Sequence, residues 1–195
     1  MSRWEPDAPE RLERAALELF VAHGFDGVTV PQIAERAGLT TRTFFRHFAD
    51  KREVLFAGED VIPNRVAELM ALAPDGAPPL ELIAGGFEAM APMFEGRVDQ
   101  LRQRRAVIAG HDGLREREMR KRADLCDSIT AGFLARGVDE LDAKLLAETT
   151  GTIFRVGLDR WMDSPERGLV TVLRETMSAL VAVTEGSRQP SSAER

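Results

Sequence analysis

The sequence predicts an all-α protein: an N-terminal three-helix helix-turn-helix domain, a connecting helix, and a larger C-terminal helical bundle, about nine helices in total. Two observations support this. Apolar residues recur at three- and four-residue intervals along most of the chain, and strand-type alternation and internal repeats are absent. Capping residues and glycines break that pattern at helix-sized intervals.

In the first predicted helix Leu12, Ala15, Ala16, Leu19, Phe20 and His23 share one face, and Gly24 stops it. Thr29 caps a short second helix, with Gln32 three residues on as a capping box and Ile33, Ala34 and Ala37 facing inward; Gly38 ends it. Thr40 caps a third, Thr41 to Phe48. Asp50 caps a fourth, with Glu53 placed for another capping box; it runs from Lys51 to Leu72 through Val54, Leu55, Val61, Val66, Leu69 and Met70, with bends expected at Gly58 and Pro63. The stretch "APDGAPP", Ala73 to Pro79, is the clearest break in composition. Beyond it, helices are expected near 80–95, 97–109, 113–136, 139–163 and 165–184, the last opened by Ser164 and Pro165. This divides the chain into a helix-turn-helix domain, 1–52, a larger domain, 53–185, and a disordered tail, 186–195.

Bulk properties narrow the function. With 44% hydrophobic residues the chain has the means for a real core, and its net charge of -6 argues against coating nucleic acid or membrane by bulk charge. The single cysteine, Cys126, rules out an intramolecular disulfide. The N-terminal stretch lacks a signal-type apolar region and no long apolar run occurs, so the expectation is a cytoplasmic protein without a membrane span.

Against that acidic total, "LTTRTFFRHFADKREVL" (Leu39 to Leu55) is locally basic and aromatic. Helix, tight turn at Gly38, helix is the helix-turn-helix arrangement. Phe44 and Phe48, four apart, face a small core, leaving Thr41, Arg42, Phe45 and Arg46 on other faces. Arginine suits guanine edges and threonine suits bases or phosphates, so this helix fits the major groove. Arg46, His47, Lys51 and Arg52 suit phosphates, as do the backbone amides after Asp50.

The run Leu19 to Leu55, "LFVAHGFDGVTVPQIAERAGLTTRTFFRHFADKREVL", resembles TetR-family transcriptional regulators. It carries the family's Gly-aromatic turn, its Thr-Val-x-x-Ile-Ala-x-x-Ala-Gly segment, and after it the Leu-Thr-x-x-Thr-aromatic-Phe-x-His-Phe-x-x-Lys run. By position, the resemblance implies DNA contacts at Thr29, Thr40, Thr41, Arg42, Thr43, Phe45, Arg46, His47 and Lys51. Thr29 and Thr40 also have the bland role of caps. Many members have tyrosine where this chain has Phe45, and its hydroxyl contacts phosphate; this sequence has no tyrosine. The resemblance further implies a homodimer on an inverted-repeat operator in double-stranded DNA, and a small-molecule effector in the larger domain that shifts the connecting helix. A repressor is the expectation; an activator, or a regulator without effector, is the alternative.

In the larger domain, helices 139–163 and 165–184 are apolar on more than one side. Leu141, Leu145, Leu146, Ile153, Val156, Leu158 and Trp161 line the first, and Leu169, Val170, Val172, Leu173, Met177, Leu180, Val181 and Val183 the second. A second apolar face calls for a second partner, here another copy of the chain. Met70, Met90, Met93 and Met119 fall on helices that surround the family's pocket, with Phe87, Phe94, Cys126 and Ile129 as similar candidates; taken singly, each reads more readily as ordinary core. Thr149, Thr150 and Thr152 either offer a polar contact or bond back to their own helix. Arg105, beside "AVIAG", is a candidate for an anionic head group of an acyl-type ligand; the alternative for this arginine-rich run is a solvated face with pairs such as Glu116–Arg120 and Glu118–Arg122.

Nothing points to catalysis, a metal or a cofactor. His23, His47 and His111 have no metal-ligand spacing, and nucleophile-elbow, phosphate-loop and dinucleotide motifs are missing. A non-specific DNA-organising protein is the other alternative, disfavoured by the acidic total.

Overall fold

The structure is a computed structural model that describes residues 8–186. Among these residues it is helical without strands: α1 (Ala8–His23), α2 (Val30–Arg36), α3 (Thr41–His47), α4 (Ile62–Leu72), α5 (Pro79–Met90), α6 (Val98–Ala109), α7 (Asp112–Ala135), α8 (Glu140–Asp163) and α9 (Leu169–Thr184). The expected disordered tail lies, but for Gly186, outside the described residues. The chain divides into two compact units, one of residues up to Arg65 with Asp99–Leu125, the other of Val66–Val98 with residues from Cys126 onward.

The first unit is built on α1 to α3. Leu12, Ala16 and Phe20 are buried as their spacing predicts, and Leu17 joins them, widening the stripe. His23 is exposed rather than inward, at the end of α1 where Gly24 stops the helix. The capping box at α2 forms, with Gln32 Oε1 accepting from the Thr29 amide at 2.8 Å. Thr40 caps α3, its hydroxyl oxygen accepting from the Thr43 amide at 3.1 Å. Phe44 is fully buried and Phe48 nearly so. Ile108 and Leu114 complete this core, so the α6–α7 turn packs with the reading head.

The connecting helix differs from expectation. Asp50 does cap, accepting from the Arg52 and Glu53 amides at 2.7 and 3.2 Å. The chain then forms a 3-10 turn, Glu53–Phe56, passes Gly58 at a φ of 77°, and makes a second 3-10 turn, Glu59–Val61, before α4 begins. Val54, Leu55 and Phe56 are buried in succession within the first of these turns, and left-handed Gly58 interrupts the run. Glu53 directs its carboxylate to Arg117, 2.5 Å away, and Lys121, 3.8 Å.

In the second unit α8 and α9 form the principal helix pair. Asp139 caps α8, accepting from the Leu141 and Asp142 amides. Ser164 and Pro165 do not open the last helix. Pro165–Arg167 forms a 3-10 turn, Gly168 adopts a φ of 73°, and α9 begins at Leu169, whose amide donates to Glu95 at 3.3 Å. Ile153, Trp161, Leu169, Val172 and Leu173 are core, whereas Leu141, Leu145 and Val183 are more than half exposed. A Cβ on Gly157 would lie 2.6 Å from Leu173 Cδ2, so glycine sets the approach of α8 to α9. Gly157→Val is expected to lower stability by about 1–3 kcal/mol through overpacking. Chemical denaturation checks this; unchanged stability would mean that the pair tolerates wider spacing.

Candidate nucleic-acid interface

Phe44 and Phe48 anchor α3 from beneath, their ring centroids 5.4 Å apart, while Thr41, Arg42, Phe45, Arg46 and His47 are exposed. Phe45 is 56% exposed and meets Phe44 edge-on at 5.5 Å, so an apolar ring held in a fixed pose faces outward where a hydroxyl is common in the family. The Thr40 and Thr43 hydroxyls lie 2.9 Å apart beside the first turn, and the Arg46 guanidinium reaches His47 Nε2 at 3.2 Å. Thr29 is exposed at the start of α2. Eight of the nine expected contacts therefore sit on α3 or at the N-terminal caps of α2 and α3.

Lys51 is the exception. Its ammonium donates to the carbonyls of Phe25 at 2.7 Å and Val28 at 2.8 Å, and lies 4.2 Å from the Phe25 ring centroid. Burial lowers its pKa, partly offset by Asp26. Lys51 thus staples the α1–α2 loop to the segment after α3, using two of its three N–H groups on these carbonyls. Lys51→Gln is expected to lower stability by about 1–2 kcal/mol as well as weaken DNA binding. Weaker DNA binding with an unchanged melting curve would leave only the phosphate role.

The amides after Asp50, expected to hold a phosphate, instead satisfy the Asp50 carboxylate, and the Arg52 side chain also pairs with it at 3.0 Å. Partial burial pushes the Asp50 carboxyl up, but the bonds from the Arg52 side chain and from the Arg52 and Glu53 amides outweigh this and hold it below its ordinary value.

The effector candidates fall in both units. In the second, Phe87 and Phe94 meet Phe154 with ring centroids 6.2 and 5.1 Å apart, and Phe87, Met90, Cys126 and Ile129 are buried. Gly132 admits Met70, whose Cγ would lie 2.9 Å from a Cβ there. Thr152 is exposed, and Thr150 bonds back to the Leu146 carbonyl at 2.7 Å. Arg105 and Met119 belong to the first unit and are exposed. Phe154 escaped the sequence reading, although it comes directly after core Ile153 on an apolar helix. So did Arg104, which donates to the Leu55 carbonyl at 2.6 Å, pairs with Glu59 at 2.5 Å and with Glu118 at 3.4 Å, and lies over the Phe56 ring. The Glu116–Arg120 pair forms at 3.1 Å. Among the described residues no group of three or more His, Cys, Asp or Glu is placed to hold a metal, and no helix is long and apolar enough to cross a membrane.

Residues 13–57, which hold this head, match the family described as bacterial regulatory proteins, tetR family, and residues 77–185 match the MftR C-terminal domain. The chain belongs to the TetR family. TetR-family membership is borne out by a curated relative, the HTH-type transcriptional regulator TcmR of Streptomyces glaucescens, 33% identical over 165 residues, which cover 85% of this chain and 67% of that one. The putative mycofactocin biosynthesis regulator MftR of Mycobacterium tuberculosis is 41% identical over 54 residues, 28% of this chain and 27% of that one. Two solved structures share the fold of this TetR-family chain. A SmeT–triclosan complex has a TM-score of 0.59 at 22% identity, covering 88% of this chain and 90% of that one. Thermus thermophilus FadR with lauroyl-CoA has a TM-score of 0.57 at 24% identity, covering 96% and 100%. The protein is accordingly a helix-turn-helix DNA-binding transcriptional regulator, and its family and relatives are regulators rather than enzymes.

Proposed function

We propose that this regulator is a cytoplasmic homodimeric repressor, released from an inverted-repeat operator by a small, largely apolar effector. The observation that carries the reading is α3, which holds Arg42, Phe45 and Arg46 outward over a buried Phe44. A rigid base under exposed polar and basic side chains is what major-groove reading needs. Two subunits reading successive major grooves would place their α3 helices about 34–36 Å apart.

The dimer is assigned to α8 and α9. Leu141 and Leu145 remain exposed on α8, and an open groove along α9 is lined by the small residues Thr171, Ser178, Ala179 and Ala182 together with Arg174 and Glu175. Small side chains let a partner helix approach closely, and a two-fold pairing of these helices forms a four-helix bundle. Sedimentation at micromolar concentration is expected to give a dimer; a monomer would contradict the interface.

For the effector, the aromatic group of Phe87, Phe94 and Phe154 favours apolar ligands. The bound molecules in the SmeT and FadR structures, triclosan and lauroyl-CoA, supply two probes. An effector must prefer the DNA-incompetent state to act, so it should raise the melting temperature and weaken operator binding together. Failure of lauroyl-CoA and free fatty acids to shift the melting temperature would remove the support for Arg105 as an anion contact.

A further inference from the structure

We propose that Arg11, on α1, is a positioning residue for DNA reading: its guanidinium caps the end of α2 and thereby sets the turn that aims α3. The proposal rests on the operator-binding reading. Arg11 Nη2 donates to the Ala37 carbonyl at 2.6 Å and approaches the Gly38 carbonyl at 3.4 Å. The last carbonyls of a helix lack intrahelical donors and carry the negative end of its dipole, so a cation there satisfies both. The backbone closes the rest of the turn, the Gly38 amide donating to the Glu35 carbonyl at 2.9 Å and the Leu39 amide to the Ala34 carbonyl at 2.8 Å. Arg11 thus takes up carbonyls that the turn itself leaves open.

Its place in sequence explains the consequence. Gly38 adopts a φ of 66°, Thr40 caps α3 two residues later, and Thr41 and Arg42 form the first turn of the reading helix. Rotation of this short turn would re-aim those side chains. Leu12, next to Arg11, is fully buried, so the guanidinium is held from a fixed base. A second tie runs the other way, from Arg36 on α2 to Glu18 on α1 at 2.6 Å, and holds the same end of α2 to α1. A Cβ on Gly38 would lie 2.9 Å from Arg11 Nη2, so glycine here serves both the left-handed backbone and the seat of the guanidinium.

This role differs from that of a residue touching phosphate. Removing such a residue weakens all DNA binding and lowers the salt slope by about one, whereas misaiming the reading helix weakens the operator selectively. The test compares the wild-type chain with Arg11→Gln and Arg11→Lys on the selected operator and on a random duplex of equal length, across salt concentrations, below the melting temperature of each variant. Arg11→Gln is expected to lose about tenfold on the operator and at most about twofold on random DNA, with the salt slope unchanged. Arg11→Lys should recover most of the loss, since an ammonium also donates to carbonyls. If Arg11→Gln does not stay folded, Gly38→Ala carries the test alone and with Arg11→Lys: the Cβ already displaces the cap, so the double variant should be no worse than Gly38→Ala. Equal loss on both duplexes, additive losses in the pair, or no loss at all would overturn the assignment. A wild-type chain with no operator preference would overturn the operator reading itself, and this assignment with it.

Discussion

Phe44→Ala is expected to lower stability by about 3–5 kcal/mol and abolish DNA binding. Phe44 is fully buried and touches both Phe45 and Phe48, and it lies in the core formed by α1, α2 and the α6–α7 turn. Truncation removes a ring from a site closed on all sides. A loss of that size is a large part of the roughly 5–15 kcal/mol that holds a domain together. Phe45→Ala is the matched control. Its ring is 56% exposed, so its stability should change little while DNA affinity falls. Urea unfolding and DNA binding of both variants separate the roles; a stable Phe44→Ala head that still bound DNA would show that α3 does not depend on this core.

Arg42→Ala is the second large effect, of a different kind. Arg42 is exposed in the first turn of α3, where major-groove readers contact base edges. Its removal should leave the melting curve unchanged and cost about 1–3 kcal/mol on the operator, with relaxed preference at one base pair if the guanidinium holds a guanine. Equal losses on operator and random DNA would make it a phosphate contact instead.

The head was legible in the sequence because its signals are local. Thr29 with Gln32, the Thr40 cap and the Phe44–Phe48 spacing each act within one turn of helix, and α2 and α3 lie where they place them. Where the sequence reading departed from the structure, distant groups decide. After Asp50 the chain forms 3-10 turns held by Arg104, which donates to the Leu55 carbonyl and pairs with Glu59, and Glu53 answers to Arg117 rather than to its own helix. The start of α9 is set by Gly168 and by Glu95, 74 residues away. Arg11, Arg104 and Phe154 act through partners on other helices, which periodicity does not reveal.

Arg136 shows the same long-range logic at the other end of the connection. Just beyond α7, it donates to the carbonyls of Met70 at 2.9 Å and Ala73 at 3.1 Å, and to that of Pro74, holding the end of α4. Arg104 holds the 3-10 segment within the first unit in the same manner. The stretch proposed to carry the effector signal thus has an arginine clamp in each unit, and left-handed Gly58 falls inside the first, between Leu55 and Glu59.

The measurement that tests the central claim most directly is selection of DNA by the purified chain, from genomic fragments or random duplexes at moderate salt. The account predicts enrichment of a discrete inverted repeat whose half-sites are centred one helical turn, or a multiple of it, apart. Featureless enrichment that vanished with added salt would contradict it, leaving α3 a general grip on the backbone rather than a reader of sequence.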